Sequence, residues 1–405
     1  MMSSKLFRVT PTYCIIAHRY MQAVHPTKFE ISPMHKEKVN RNSIVRQAEK
    51  VVGYPTSFLN LRWILNDEAA NLAMHLKKLI GTKHPLPKIT KNFLFSNDLP
   101  SLGLVILLVS KMGGLNPEAE EMDCDRTAGI LHGQRVLAEV AEMIRTSFLV
   151  HRSLLKVEAG SDEADDLSQG NKIALLTGDY LLSKCFNDLA LIRNSDVTDI
   201  ISTATRDCSE SDYVGPFDEK NRAIPAEPNP VFRDAAEYFD ENYLDPGPYK
   251  VNEILGSPRN EWVLRTVLSS ANLLGKSCQA AMILGNHGAD LQNAAYQFGK
   301  HVALSWQARI DYDDFFANSG GINLVSAPVM LHLEKHPEFY TEIKNGCYNP
   351  DGCDYSNIRP IILNGTAVLE TQNMCRDYAR RASKNLDSFP DGDAKDALKK
   401  IINAL

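Results

Sequence analysis

"LAEVAEMIRTSFLVHRSLLKVE", residues 137–158, carries the reading on which the fold turns. Leu137, Val140, Ala141, Ile144 and Phe148 recur at three- and four-residue intervals, the period of one face of an α-helix. His151 closes that run. Arg152, Ser153 and Lys156 follow it, and no acid appears before Glu158. The stretch therefore predicts a helix whose end presents cations.

Outward from this run the same period dominates. "RNSIVRQAEKVVGYP" (41–55) predicts a helix stopped by Gly53 and Pro55, and "NDEAANLAMHLKKLIG" (66–81) a second with acids early and lysines late. "SLGLVILLVSKMGG" (101–114) is apolar on every side and predicts a buried core helix. An acidic linker, "LNPEAEEMDCD" (115–125), precedes the quoted stretch. A further helix is expected to begin near Asn171. Residues 205–260, rich in proline, glycine and charge, read as a surface excursion. Helical patterns resume at Trp262 and run through 315, then occupy about 325–336, 363–386 and 392–404. "RPIILNGTAVLE" (359–370) has strand propensity, which the helical periods on both sides outweigh. No internal repeat is present, and one large all-α domain over 44–404 is the simplest architecture.

Composition narrows the function classes. The chain has 405 residues, 44% apolar and 23% charged, with a net charge of −6, so it offers no general case for nucleic-acid binding. Eight cysteines are too sparse for a disulfide scaffold. Cys347 and Cys353 lack a matching second pair, so no structural zinc site is expected. No apolar run approaches the length of a membrane span. The first 29 residues contain Lys5, Arg8, Arg19 and Lys28 but no acid before Glu30. That bias over residues 1–40 suits a mitochondrial presequence, the alternative being an ordinary disordered N-terminus.

Three segments in order, "LAEVAEMIRTSFLVH" (137–151), "GNKIALLTGDYLLSKC" (170–185) and "YQFGKHVALSWQARIDYDDF" (296–315), resemble the trans-polyprenyl diphosphate synthases. The likeness extends over most of 44–404. It implies the all-α trans-isoprenyl diphosphate synthase (terpenoid synthase) fold around a central cavity, with the irregular insertion near 205–260. It also implies two aspartate-rich motifs that hold Mg²⁺ on an allylic diphosphate, because several divalent ions must balance the departing charge.

Here both motifs are degenerate. After His151 the first reads Arg152, Ser153, Leu154, Leu155, Lys156, a reversal of charge. The cations either contact a phosphate directly, or face solvent, an acidic partner surface or an internal salt bridge. The second reads Ile310, Asp311 and Asp314, with Asp313 as a further acid. Two carboxylates suffice for one weakly held magnesium, or they are a remnant of the fold or a polar interface patch. No Gly-Lys…Arg-Pro site precedes the apolar helix, where only Lys91 stands. Lys172, Arg265 and Lys300 remain as diphosphate contacts the resemblance suggests. No catalytic residue and no metal ligand is assigned.

The resemblance then implies an auxiliary subunit of a heteromeric long-chain synthase, making a decaprenyl-type ubiquinone side chain from allylic and isopentenyl diphosphates. A catalytic subunit, in a heterotetramer, would hold most of the Mg²⁺. The alternatives are a self-sufficient divergent prenyltransferase and a non-enzymatic isoprenoid-binding regulator. The apolar stripe of 138–151 suits either a subunit interface or internal packing. Residues 1–40, fused to a cytosolic fluorescent reporter, are expected to carry it into mitochondria. A reporter that stays cytosolic while the full chain is imported would place the address elsewhere.

Overall fold

The computed structural model describes residues 41–53, 84–86, 100–116, 126–157, 164–219, 221–229, 249–316, 321–347 and 354–404. The chain divides into Met1–Asn40 and Arg41–Leu405. The first unit, the helix expected at 66–81, Lys91 and Glu158 lie outside the described residues.

Helix α1 is Arg41–Val52, ending where Gly53 takes φ +68°. Helix α2, Leu102–Gly113, is the buried helix its composition predicts: Leu104 through Val109 are wholly inaccessible. The Ser101 hydroxyl accepts from the Leu104 amide at 3.1 Å and so starts the helix. Gly114 (φ +65°) ends it. Among the described residues no helix is long and apolar enough to cross a membrane.

Around α2 pack α3 (His132–His151), α7 (Asn272–Leu284) and the terminal α13 (Asp393–Asn403), which also covers α1. Helix α3 lies along α4 (Ala164–Ile192), and α7 is backed by α5 (Ser195–Glu210). Helix α8 (Ala289–Phe316) is held between α7 and α12 (Ala367–Asn385). Helix α9 (Ala327–Lys335) sits against α12 and against α6 (Pro258–Thr266). A π-helical turn, Val267–Ala271, carries α6 into α7. Helices α10 (Tyr340–Cys347) and α11 (Ile358–Leu363) follow, α11 standing where strand propensity competed, and a single helical turn, Val251–Ile254, precedes α6.

The structure departs from the sequence expectation at three places. Helix α4 begins at Ala164, well before Asn171, because apolar period marks burial rather than helix: its first turn is acidic and its first buried residue is Gly170. A two-stranded hairpin, Arg126–Thr127 with Ile130–Leu131, closes through Ala128 (φ +57°) and Gly129 (φ +81°). Strands of two residues leave no alternation to read. Within 205–260, α5 runs to Glu210 and α6 starts at Pro258. Between them Val214 and Ile254 pack on Leu264 and Leu268, so part of the excursion is anchored in an apolar cluster.

A close backbone approach joins α7 to α8. A Cβ on Gly299 would stand 2.8 Å from the Leu274 carbonyl oxygen and 2.9 Å from the Gly275 Cα, both backbone atoms. Gly299→Ala is therefore expected to lower stability by about 1–3 kcal/mol through overpacking, despite the helix propensity it adds. Gly288→Ala, whose Cβ meets nothing within 4 Å, is the control. Urea unfolding of both variants checks this. Equal stabilities would remove the close approach as a constraint.

Candidate functional site

Helix α3 ends at His151, immediately before the degenerate first motif. The His151 ring lies over α4, with Nε2 3.3 Å from the Leu175 carbonyl and 3.4 Å from Asp179 Oδ1. Only glycine fits beneath it: a Cβ on Gly178 would come within 2.0 Å of the ring. The Ser147 hydroxyl donates to the Gly178 carbonyl at 2.9 Å, fixing the same crossing. The "GDYLL" glycine thus serves helix packing.

Beyond His151 the chain is no longer helical, so residues 152–156 do not share the helical face that an aspartate-rich motif uses. Arg152 Nε donates to Asp212 Oδ1 at 3.0 Å and its Nη2 to Ser211 Oγ at 2.8 Å, the internal salt bridge among its alternatives. Ser153 is buried, and its hydroxyl donates to the Val150 carbonyl at 2.6 Å. Lys156 is exposed. Asn171 clasps the segment between them: its Nδ2 donates to the Leu155 carbonyl at 2.7 Å and its Oδ1 accepts from the Leu155 amide at 2.9 Å. His84 stands behind the clasp. Its Nδ1 accepts from the Leu86 amide, which leaves Nε2 to donate to Asn171 Oδ1 at 3.2 Å.

The second motif lies on α8. Asp311 is buried, and neutral donors occupy both its oxygens: Oδ2 accepts from Trp262 Nε1 at 2.8 Å and the Ala327 amide at 2.7 Å, Oδ1 from Gln307 Nε2 at 2.7 Å. It joins α6, α8 and the first turn of α9. Burial pushes its pKa up to about 6, against those three hydrogen bonds. Ile310 is half-buried. Asp314 is exposed, its pKa raised by desolvation and then by Asp313, which itself accepts from Arg309 Nε at 2.7 Å.

The three suggested diphosphate contacts are not brought together. Lys172 is exposed on α4. Arg265 is almost covered and grips Glu261 Oε1 through Nε at 3.0 Å and Nη2 at 2.8 Å. Gly215 (φ +75°) leaves room for that guanidinium, which a Cβ would meet at 2.1 Å. Lys300 is buried on α8, 5.9 Å over the Tyr296 ring. Sequence reasoning missed these partners, and also a buried network in which Asp207 Oδ2 accepts from Lys276 Nζ at 2.9 Å and Asn272 Nδ2 at 2.7 Å. Only a helical phase assignment for α5 against α7 would have paired them.

Among the described residues no group of three or more His, Cys, Asp or Glu side chains could hold a metal ion. Asp311, turned to structural donors, does not fit a Mg²⁺ cluster.

No family model matches the chain. Individual proteins do. The chain is 35% identical over 383 residues to "All trans-polyprenyl-diphosphate synthase PDSS2" of Homo sapiens, covering 91% of this chain and 88% of that one. It is 25% identical over 420 residues to "Probable hexaprenyl pyrophosphate synthase, mitochondrial" of Yarrowia lipolytica (88% and 86%). It is 22% identical over 382 residues to "Decaprenyl-diphosphate synthase subunit 1" of Schizosaccharomyces pombe (88% and 93%). Among solved structures, a decaprenyl diphosphate synthase from Rhodobacter capsulatus superposes with TM-score 0.56 at 14% identity, over 90% of this chain and 97% of that one. A Caulobacter crescentus polyprenyl synthase complexed with calcium and isoprenyl diphosphate gives 0.52 at 16% identity (86% and 97%). The helical frame is that of the isoprenyl diphosphate synthases. The chain belongs to the trans-polyprenyl-diphosphate synthase family and is a homologue of PDSS2.

Asp311 supplies a pH test. Its folded pKa, about 6, lies above the ordinary carboxylate value. The stability it lends is therefore complete below about pH 4 and lost as pH rises through 6. Relative to Asp311→Asn, the native chain is expected to lose about 3 kcal/mol between pH 4 and pH 7. Paired urea titrations across that range measure it. A pH-independent difference would mean that Asp311 ionises freely.

Proposed function

We propose that the chain is an auxiliary subunit of a heteromeric long-chain trans-polyprenyl diphosphate synthase with an incomplete site of its own. A catalytic subunit, joined in a heterotetramer, supplies the complete aspartate-rich motifs, holds the Mg²⁺ and condenses isopentenyl diphosphate onto an allylic diphosphate. The product is a decaprenyl-type chain for the ubiquinone tail, made in mitochondria. The observation that carries this reading is the commitment of both motifs to the fold: Arg152 to Asp212 and Ser211, Ser153 to Val150, and Asp311 to Trp262, Gln307 and Ala327. A relative named as a subunit 1 and another named as mitochondrial support the partner and the compartment.

The face that meets the partner is assigned to α4. The stripe of α3 is spent on the core: Leu137, Ala138, Val140 and Ala141 are wholly inaccessible. Helix α4 instead exposes Leu175 (47%), Leu176 (56%), Phe186 (51%) and Leu191 (67%). Leu175 and Phe186 are eleven residues apart, three turns, and so point the same way. Exposed apolar side chains along one helix suit a second helical subunit of the same fold.

The purified chain alone, given both diphosphates and Mg²⁺, is expected to form no polyprenyl product. Mixed with the cognate full-motif synthase it is expected to raise product formation severalfold. Phe186→Asp is expected to abolish copurification while changing the chain's own stability by no more than about 0.5 kcal/mol. Mg²⁺-dependent turnover by the single chain would sink the auxiliary reading. Copurification that survives Phe186→Asp would move the interface off α4.

A further inference from the structure

The degenerate first motif carries two exposed apolar side chains, Leu154 (41%) and Leu155 (39%). Helix geometry does not place them, since the chain beyond His151 is not helical. Helix α4 places them instead. Asn171 takes both backbone groups of Leu155, and His84 Nε2 lies 3.2 Å from Asn171 Oδ1. The Leu154 amide donates to the His151 carbonyl at 3.2 Å, and the His151 ring itself rests on α4 at Leu175. Asn171 and Leu175 are four residues apart, about one helical turn. Leu154 and Leu155 therefore border the exposed α4 face that Leu175, Leu176 and Phe186 define.

One charge stands inside that face. Between Leu176 and Phe186 the exposed positions of α4 are Asp179 and Ser183. Asp179 lies four residues from Leu175, three from Leu176 and seven from Phe186, so all four project from one side of the helix. Its side chain is 60% accessible, with His151 Nε2 at 3.4 Å from Oδ1. Lys172, exposed on the same side, is seven residues away, about 10 Å along the axis. Any surface that covers the leucines also covers this carboxylate. Taken from water without a counter-charge it would oppose docking. Met by a cation, it makes docking selective.

We propose that the catalytic subunit docks on a composite face, Leu154 and Leu155 together with α4, and presents a lysine or arginine to Asp179. This rests on the auxiliary-subunit reading and names what the partner must carry: an apolar helix face with one cation set into it. The occupant follows from continuity with the α4 face and from charge. A wholly apolar surface would bury Asp179 unanswered, whereas a guanidinium or ammonium donates to it in a charge-assisted bond. The segment after His151 then works in recognition, Leu155 through its side chain and Asn171 as the residue that positions it.

The full chain and the cognate full-motif synthase are purified separately and titrated, with the dissociation constant and product formation as readouts. Leu155→Asp is expected to weaken association at least about tenfold, and Asp179→Lys roughly a hundredfold. Leu369→Asp, at an exposed leucine on α12, is expected to bind as the native chain does. Single charge reversals of the partner's lysines and arginines to glutamate are then screened against Asp179→Lys. One of them is expected to bind that variant at least about tenfold more tightly than the native partner does, a rescue that misfolding cannot produce. Native affinity in both Leu155→Asp and Asp179→Lys overturns the composite face and leaves the auxiliary reading intact. Failure of every partner reversal to restore binding overturns the cation. A native chain that neither binds nor activates the synthase overturns the auxiliary reading and this face with it. Dimers of the chain alone that both substitutions break assign the face to a second copy and overturn the partner.

Discussion

A carboxylate buried in the interior must be answered by donors, and Asp311 is the point where this fold meets that demand. An ionised carboxylate transferred from water without partners would cost several kcal/mol or more. The Trp262 indole, the Ala327 amide and the Gln307 amide answer it from α6, α9 and α8. The same bonds register α6 and α9 against the central helix α8. Chemistry and architecture then compete for one side chain, because a carboxylate saturated by neutral donors is a poor ligand for a divalent ion. Burial that lifts its pKa to about 6 adds to the mismatch.

The first motif has followed the same course by different means. Helix α3 stops at His151, and in the non-helical residues that follow Asn171 clasps both backbone groups of Leu155. Once the helix ends there, no regular spacing can gather side chains 152–156 on one face. Arg152 turns to Asp212 and Ser211 at the end of α5. The α3–α4 crossing beneath it is kept by Gly178, because the His151 ring occupies the space a Cβ would need. Gly178 thus packs helices, while Arg152, Ser153 and Asp311 are held by structural partners.

The helical frame has a simple energetic basis. Helices α2, α3, α7 and α8 bury apolar faces against one another, and large-to-small changes in such a core cost about 2–5 kcal/mol each. A diphosphate site costs stability to maintain, since it holds like charges together. Apolar side chains stand exposed along α4, and cations converge on a cavity between α6, α8 and α12.

The sequence by itself determined the helical class, the cores of most helices and the absence of acids at Arg152, Ser153, Lys156 and Ile310. Three- and four-residue periodicity is a local property, and a missing carboxylate needs no coordinates to be seen. It also named the stops, Gly53 and Gly114, because a left-handed residue is a local requirement. Tertiary structure alone decided what the remaining polar groups do. Lys300 and Asp311 lie eleven residues apart on one helix, yet one enters a cationic cavity and the other caps α9. The α3 stripe and the α4 stripe look alike in sequence, but one is core and the other surface. Arg265 finds Glu261 one turn away, and Arg152 finds Asp212 sixty residues on. Such pairings depend on how rigid helices cross, which is set by the sum of many contacts and written at no single position.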